Sequence, residues 1–365
     1  MAFLPVPTLG LRPCGPTPAV GVAAPYPLKG AVPGRRPRPS CRPVPVATAT
    51  SGGSPAAPPA RAVGAAVLGV AAATAPPPGT PRRRPVVLLP GLGCSSADYA
   101  PLAATLTARG HPVTLARVAR WEWSRNAAAI TTAAYWSGTL TVDAALPWYL
   151  TRITEAVAAA VAAEEAAAVA AVDDGGGNGV AARVPPPAAA AAAIPGIKVG
   201  GAATAAGGPQ APRVHLVAHS AAGWIARHWL GAASPRPPAV ASLTTLGTPH
   251  VPPPAGALDQ SRGLLASVAA AHPGAAVPGV RYTSVVGDAV TGGAPGAGLA
   301  GWLAFASYAA LGGGGAVAGD GVVSVAAADL GGGELRVLPG VTHVVGGGAW
   351  YGAPEVVERW ATDLD

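Results

Sequence analysis

The architecture of this chain is indicated most clearly by Val217-Ala218-His219-Ser220-Ala221-Ala222-Gly223, in which one serine separates two differently patterned segments. The apolar run before the serine predicts a strand buried on both faces of a sheet, and the alanine-rich segment after it predicts a helix. A serine on such a tight turn exposes its hydroxyl at the end of the strand, an arrangement called a nucleophile elbow. Ser220 is therefore the candidate nucleophile.

Small residues are needed around this turn because the strand and the helix approach each other closely. The usual pattern has glycine two residues before and two residues after the serine. This chain has Ala218 and Ala222 instead, and each alanine adds one methyl group. The alternative interpretation is that Ser220 is an ordinary N-cap of an alanine-rich helix.

Strand and helix patterns alternate along 85–365. We expect strands at 85–89, 113–118, 214–218, 242–246, 282–286 and 335–338, and helices at 146–172, 221–230 and 355–364. Such alternation is typical of βαβ units, so the predicted fold is α/β, with a mostly parallel central sheet flanked by helices. Two stretches rich in Gly, Ala and Pro interrupt the pattern at about 173–212 and 292–319. We interpret both as low-complexity insertions, the second with room for a short helix at 302–311.

Residues 1–84 differ in composition from the rest of the chain. They contain ten Lys and Arg and no Asp or Glu. A Pro-, Ala- and Arg-rich segment without hydrophobic periodicity cannot bury enough apolar surface to offset its ordering entropy. We interpret it as a disordered leader that resembles an organelle transit peptide, with the chloroplast preferred and the mitochondrion and the cytoplasm as alternatives. The other interpretation is a compositionally biased tail.

Charge, cysteine content and hydropathy exclude several classes of protein. Residues 85–365 carry 14 basic and 17 acidic side chains, which disfavours a nucleic-acid-binding surface. Cys94 is the one cysteine in this part, so neither a disulfide framework nor a CxxC metal site is expected there, and we predict no cofactor. No apolar run reaches the roughly 18 residues of a membrane span. Peripheral contact with a membrane remains an open alternative.

Two backbone N–H groups are candidates for an oxyanion hole. The strand at 85–89 ends in Leu89-Pro90-Gly91-Leu92-Gly93. In folds with a nucleophile elbow this loop supplies one donor, and the residue after the serine supplies the other. The donors here would be Leu92 and Ala221. The alternative is that the loop is a plain glycine-rich turn.

An acid and a base follow Ser220 in the chain. Asp320 lies in a tight turn between two glycines, and His343 follows the last strand, from which it can reach the serine as general base. Asp288, just after the strand at 282–286, is the alternative acid. His219 adjoins the serine, but its side chain should point away from it and have a structural role.

Aromatic residues are concentrated in 121–149, between early strands. Trp123, Trp136 and Trp148 are candidates for the wall of a pocket. His250 is a further candidate for the lining, with a rim or structural role as its default interpretation. An apolar, aromatic-lined cleft suits an acyl or isoprenoid chain. The alternative is that these rings simply pack against a core built mainly from Ala and Val.

Together these stretches resemble an α/β-hydrolase of the lipase/esterase type. Residues 85–365 are similar to a group of plant and algal chloroplast-directed hydrolases, distantly related to GPI inositol-deacylase-like lipases. The resemblance is carried by nine stretches, at 85–93, 123–128, 135–136, 146–150, 218–224, 243–250, 259–265, 319–323 and 350–352. It implies that Ser220, Asp320 and His343 form a catalytic triad. Pro90 departs from the histidine that many lipases have at this position.

The sequence thus predicts a serine hydrolase that cleaves carboxylic esters of lipids or other apolar acyl groups through an acyl-enzyme intermediate. Its partner would be a small ester or lipid substrate. One alternative is a non-catalytic protein of the same fold that binds a lipid or a protein partner, which the two alanines of the elbow favour. Another is an acyltransferase that uses the same three residues.

Overall fold

The computed structural model describes residues 74–77, 79–174, 213–232, 239–254, 259–293, 296, 298–311 and 314–364. Nearly all of the predicted leader and most of the predicted insertion at 173–212 lie outside these residues. Thr74 pairs with Val113 in an antiparallel bridge, and Arg82 makes an ion pair with Glu164. The packed part of the chain therefore begins before the predicted boundary at residue 85.

Six parallel strands form the central sheet. The strands among the described residues are β1 (Val86–Leu89), β2 (Val113–Leu115), β3 (Val214–His219), β4 (Val240–Leu246), β5 (Arg281–Gly287), β6 (Val290–Thr291), β7 (Ala318–Gly319) and β8 (Glu334–Leu338). The order across the sheet is β2-β1-β3-β4-β5-β8, and every neighbouring pair is parallel. Because all six strands point the same way, the loops that follow them meet at one edge.

Helices cover both faces of this sheet. The α-helices are α1 (Ala100–Ala108), α2 (Ala133–Ser137), α3 (Val142–Ala145), α4 (Pro147–Asp174), α5 (Ala221–Ala232), α6 (Leu264–Ala271), α7 (Gly298–Ala310), α8 (Val325–Ala328) and α9 (Pro354–Trp360). Shorter 3-10 helices span Ser96–Tyr99, Arg120–Thr131 and Ala361–Leu364. The predicted arrangement of a parallel sheet between helical layers is confirmed.

Alternate residues of the strands enter two separate cores. In β1, Val87 and Leu89 pack in a cluster with residues of α4, α5 and α6. Val86 and Leu88 pack on the other face with residues of α1 and α9. Strands buried on both faces must be apolar along their whole length, which explains the continuous runs in the sequence.

The stretch at 292–319 is not simply a low-complexity insertion. It contains α7, thirteen residues long, and ends in β7, which pairs antiparallel with β6. The helix is anchored by Tyr308, a buried residue whose hydroxyl donates to Val290 O and accepts from Gly321 N. The short helix expected at 302–311 is part of this longer helix, which begins at Gly298. This element lies directly beside the turn that contains Asp320.

The predicted strand at 113–118 is shorter than expected. β2 ends at Leu115, and beyond it Val118 O accepts hydrogen bonds from the backbone and side chain of Ser96. These hydrogen bonds from Ser96 compete with the pairing of β2 in the sheet, so the chain turns toward the loop after β1.

Candidate active site

Ser220 stands between β3 and α5 in a strained backbone conformation. Its φ is +55°, and Arg262 is the other described non-glycine residue with a positive φ. Such a conformation persists only where the surroundings hold it. Here Ser220 N donates to Leu246 O at 2.8 Å, and Thr248 Oγ1 donates to Ser220 O at 2.7 Å. The nucleophile elbow is thus held by the loop that follows β4.

The space around the elbow explains which small residues it needs. Ala218 and Ala222 are fully buried, and their methyl groups are accommodated. A Cβ on Gly223 would lie 2.2 Å from Thr248 Oγ1, and one on Gly91 would lie 2.9 Å from His219 Nδ1. Close approach therefore requires glycine at 223, three residues after the serine, and at 91 in the opposing loop.

Ser220, His343 and Asp320 form one continuous chain of hydrogen bonds. Ser220 Oγ lies 3.0 Å from His343 Nε2, and His343 Nδ1 lies 2.7 Å from Asp320 Oδ2. His343 N also donates to Asp320 O at 2.9 Å. The structure brings together the three side chains that the sequence proposed, from three loops at the same edge of the sheet.

Asp320 is a buried carboxylate with several hydrogen-bond donors. Its Oδ1 accepts from Val322 N at 2.9 Å and from Val323 N at 2.7 Å, and its Oδ2 accepts from the Tyr351 hydroxyl at 2.6 Å. Burial alone raises the pKa of Asp320, but His343 and these donors outweigh it, so the pKa lies below its usual value. A carboxylate only accepts, so His343 Nδ1 carries the proton of this hydrogen bond, which leaves Nε2 as the nitrogen that faces Ser220.

Gly247 makes room for this arrangement. Its φ is +56°, and a Cβ there would lie 2.6 Å from Asp320 Oδ2 and 2.9 Å from His343 Nδ1. Sequence reasoning did not identify this residue or Tyr351. A glycine directly after an apolar strand was the available signal for the first, and nothing local pointed to the second.

The alternative acid, Asp288, is not part of this chain of hydrogen bonds. Its Oδ1 accepts from Gly340 N at 2.8 Å and holds the turn that follows β8. Asp288 therefore supports the loop that precedes His343, while Asp320 contacts the imidazole itself.

The two candidate oxyanion donors are available. Among the described residues, neither Leu92 N nor Ala221 N has a hydrogen-bond acceptor. The loop that holds Leu92 is fixed on both sides of it, since Gly91 N donates to the Tyr99 hydroxyl and Cys94 N donates to Gly91 O. The Leu92 side chain is half exposed.

The apolar cavity beside Trp148 is not lined by three of the predicted pocket residues, Trp123, Trp136 and His250. His250 is buried, with Nδ1 at 3.1 Å from Arg227 and Nε2 at 3.2 Å from Thr245 Oγ1. Burial, followed by the nearby Arg227 charge, lowers the pKa of His250 well below its usual value. Trp136 is on the surface with 70% of its side chain exposed, and its Nε1 donates to Ile130 O. His250 therefore has a structural role, its default interpretation, and does not line the pocket. Trp136 is a surface residue, which corrects its assignment to a pocket wall.

Trp123 supports the loop at 90–94, called the oxyanion loop below because it holds the candidate oxyanion donor Leu92. It is buried, and its Nε1 donates to Cys94 O at 2.8 Å. Its ring packs against Trp148 and Tyr149, and the Tyr149 hydroxyl donates to Pro90 O at 2.5 Å. These aromatic side chains link the start of α4 to the loop at 90–94.

Trp148 lines a cavity. The cavity has a volume of about 430 Å³ and its walls are mainly apolar. It is lined by Arg125, Ala128, Ala129, Thr132, Ala134, Leu140, Ala144, Ala145, Pro147 and Trp148. Five alanines among these residues leave the space open, and Arg125 is the one charged lining residue.

Within the described part of the chain, no group of three or more His, Cys, Asp or Glu side chains is placed to hold a metal ion. The same part contains no helix that is both long and apolar enough to cross a bilayer.

No protein-family model matches this chain, and no curated protein matches its sequence. Several solved structures are similar to it, including the following two. One is the mature form of the Bacillus licheniformis lipase BlEst2, with 15% identity and a TM-score of 0.41, covering 80% of this chain and 96% of the lipase. The other is the metagenomic carboxyl esterase MGS0156, with 14% identity and a TM-score of 0.42, covering 78% of this chain and 76% of the esterase.

The sheet order, the helical layers and the serine between β3 and α5 together define an α/β-hydrolase fold, so the predicted fold is confirmed. The narrower resemblance to chloroplast-directed hydrolases and to GPI inositol-deacylase-like lipases stays a prediction.

Proposed function

We propose that this protein is a serine hydrolase that cleaves carboxylic esters with apolar acyl groups. The observation that carries the proposal is the unbroken chain from Ser220 Oγ through His343 to Asp320, with distances of 3.0 Å and 2.7 Å, ending at a strained serine. A general base in contact with the hydroxyl, itself oriented by a buried carboxylate, is what activates a serine as a nucleophile.

The reaction proceeds in two halves. Ser220 Oγ attacks the ester carbonyl carbon while its proton moves to His343 Nε2, and Leu92 N and Ala221 N donate to the oxyanion. The C–O bond to the alcohol then breaks, and the alcohol leaves with the proton from His343. Water attacks the acyl-enzyme, gives a proton to His343 and releases the carboxylic acid, and the proton returns to Ser220. Asp320 stabilises the imidazolium that forms in each half.

The cavity beside Trp148 supports the proposal that the substrate has an apolar acyl group. Its volume of about 430 Å³ lies within the usual range for small-molecule sites. One wall, Trp148, packs on Trp123 and Tyr149, and these two hydrogen-bond to the loop at 90–94. These contacts connect one wall of the cavity to the loop that holds the candidate oxyanion donor Leu92.

The composition and exposure of helix α7 favour the proposal that the protein contacts a lipid surface. None of its thirteen residues is charged, and Leu299, Trp302 and Leu303 are exposed on one face. The helix is fixed beside the candidate acid, because Ser307 Oγ donates to Val322 O. An exposed tryptophan on an uncharged apolar helix is suited to the boundary between water and lipid. We expect the protein to cosediment with phosphatidylcholine vesicles, and Trp302→Ser to weaken this more than Trp121→Ser.

Labelling with a fluorophosphonate probe tests the central proposal. We expect the full chain and a Ser267→Ala control to be labelled, and Ser220→Ala to remain folded and unlabelled. Release of p-nitrophenol from its butyrate ester should follow the same pattern. A folded protein that is neither labelled nor active would favour the non-catalytic alternative, whereas acyl transfer to an added alcohol in preference to water would favour an acyltransferase.

We also propose that the basic, acid-free leader directs the chain to the chloroplast. Its composition is the support, and residues 1–73 lie outside the described structure. The full chain with a fluorescent protein at its carboxyl end should locate to plastids in plant cells, and a chain that lacks residues 1–60 should not.

A further inference from the structure

His219 is a buried titratable residue that the proposed reaction does not use. It directly precedes Ser220 and is 3% exposed. Both ring nitrogens have partners, since Nδ1 lies 2.7 Å from the Tyr99 hydroxyl and Nε2 lies 3.2 Å from the backbone oxygen of His343. The ring is thus placed between the loop after β1 and the loop that holds His343.

The chemistry of the partners fixes the direction of each hydrogen bond. A backbone carbonyl only accepts, so His219 Nε2 must carry a proton and donate to His343 O. Burial, followed by repulsion from His343, lowers the pKa of His219 to about 3, so the ring is neutral near pH 7 and Nδ1 is bare. Nδ1 therefore accepts from Tyr99. The Tyr99 oxygen in turn accepts from Gly91 N at 2.9 Å.

These bonds form one continuous path. It begins at Gly91 N–H, which precedes the candidate oxyanion donor Leu92, passes through Tyr99 and His219, and ends at the backbone of His343. The backbone of His343 is then held on both sides, because its N–H donates to Asp320 O at 2.9 Å.

Packing along this path leaves little freedom. Tyr99 is 1% exposed, and its ring packs against His219 and Trp350. The rings of His219 and His343 have centroids 4.8 Å apart. A Cβ on Gly91 would lie 2.9 Å from His219 Nδ1, so the oxyanion loop lies directly on the imidazole.

We propose that Tyr99 and His219 are positioning residues that set the distance between the oxyanion loop and the general base, with Ser220 between them. The proposal rests on the proposed function. Catalytic groups must be held within about 0.5 Å of productive geometry, and a displacement of about 1 Å can cost ~10² in rate. The oxyanion donor Leu92, the nucleophile Ser220 and the general base His343 belong to three different loops. The path connects the first loop directly to the third, and it passes through His219, the residue before Ser220.

Three substitutions each remove different hydrogen bonds of the path. Tyr99→Phe removes the hydroxyl and releases Gly91 N–H. His219→Asn keeps an acceptor for Tyr99 and loses the donor to His343 O, whereas His219→Gln keeps a donor near the Nε2 position and loses the acceptor. Tyr282→Phe is the matched control, since Tyr282 is also a buried tyrosine but lies on β5, outside the path.

We expect Tyr99→Phe and both His219 variants to lower kcat about 10- to 100-fold, with KM changed less than about threefold because the acyl cavity is untouched. The rate of fluorophosphonate labelling should fall in parallel. The double variant Tyr99→Phe/His219→Gln should lose no more than the worse single variant, because residues that act as a unit are not additive. The unfolding midpoint of every variant is measured, so that rates are compared only among folded proteins.

The outcomes separate the two proposals. If the unaltered protein turns over ester and the three variants keep kcat within twofold, as Tyr282→Phe should, the positioning role is wrong and the serine hydrolase stands. If losses of Tyr99→Phe and His219→Gln simply multiply in the double variant, the two residues do not act as one unit and the proposal also fails. A folded, unaltered protein without labelling or turnover overturns both.

Discussion

The Tyr351 hydroxyl donates to Asp320 Oδ2 at 2.6 Å, and the same oxygen lies 2.7 Å from His343 Nδ1. The hydroxyl also accepts from Gly287 N at 2.9 Å, so Tyr351 connects the end of β5 to the candidate acid. Both oxygens of Asp320 are thus hydrogen-bonded, and the carboxylate has one orientation. Charge-assisted bonds of this kind are about twice as strong as neutral ones.

Replacing Tyr351 by Phe should impair both stability and turnover. The substitution leaves Gly287 N–H and part of a buried carboxylate without a partner, which costs about 1–3 kcal/mol of unfolding free energy. We expect kcat to fall roughly tenfold because Asp320 is held less firmly. Tyr308→Phe is the matched control, since its hydroxyl also accepts from a glycine N–H but donates to a carbonyl, not to the acid. Equal kcat losses in the two variants would contradict this role for Tyr351.

Asp320→Asn should nearly abolish turnover, while Asp288→Asn should leave it almost unchanged. An amide nitrogen facing His343 Nδ1 favours the wrong imidazole tautomer, and in a well-studied triad enzyme the same change costs ~10⁴ in kcat. In the Asp288→Asn variant, the side-chain amide oxygen can still accept from Gly340 N. Rates with p-nitrophenyl butyrate check both variants, and comparable losses would mean that Asp320 is not the acid.

Gly247→Ala should damage the site more than an alanine at another positive-φ glycine. Its Cβ would lie within 3 Å of Asp320 Oδ2 and His343 Nδ1, in addition to the backbone strain. Gly340→Ala is the control, because Gly340 has φ +73° and no atom lies within 4 Å of the place its added methyl group would take. The control should lose about 1–2 kcal/mol of stability from strain alone. Gly247→Ala should lose more, together with at least ~10² in kcat.

The parts of the site that could be predicted are those with a local signature. Ser220 lies between an apolar run and a helix, and Asp320 lies between two glycines, so neighbouring residues identify them. Tyr99 and Tyr351 have no such signature, because their roles come from contacts with residues distant in sequence, as with Tyr99 and His219. Gly247 directly follows an apolar strand, but its role also depends on the distant residues Asp320 and His343. The strands of the central sheet were predictable since each is an apolar run. The helix α7 was predicted only in part, as a short helix at 302–311, since its exposed face is apolar too.

Stability should fall steadily as the pH is lowered from 6.5 to 4. Burial lowers the pKa of His215 and His219 to about 3, whereas the unfolded chain has the ordinary value of 6.5. Below pH 6.5 the unfolded state therefore binds protons that the folded state does not, and stability decreases with falling pH. The pKa of Asp320 is lowered from 3.8, so this residue adds a further loss of stability only as the pH falls below that value.

Each buried histidine should contribute up to about 1.4 kcal/mol per pH unit in this window. His215→Asn removes one such group and keeps an acceptor for the hydroxyl of Ser242, its partner at 2.6 Å. Urea unfolding at intervals between pH 6.5 and 4 should give a slope that is smaller by about this amount in the variant. An unchanged slope would mean that His215 binds its proton in the folded state as well.

Filling the cavity beside Trp148 should change which esters are cleaved. Ala144→Leu adds three carbon atoms to a wall that alanines keep open. A long acyl chain would then lose its place, so KM for p-nitrophenyl decanoate should rise at least tenfold while the acetate ester is cleaved as before. A matched variant, Ala166→Leu, adds the same atoms to an exposed position of α4 and should change neither rate. If the selectivity between the two esters is the same in Ala144→Leu and in the unaltered protein, the acyl group binds elsewhere, and the exposed residues Leu92 and Val344, which belong to the oxyanion loop and the loop of the general base, become the candidate contacts.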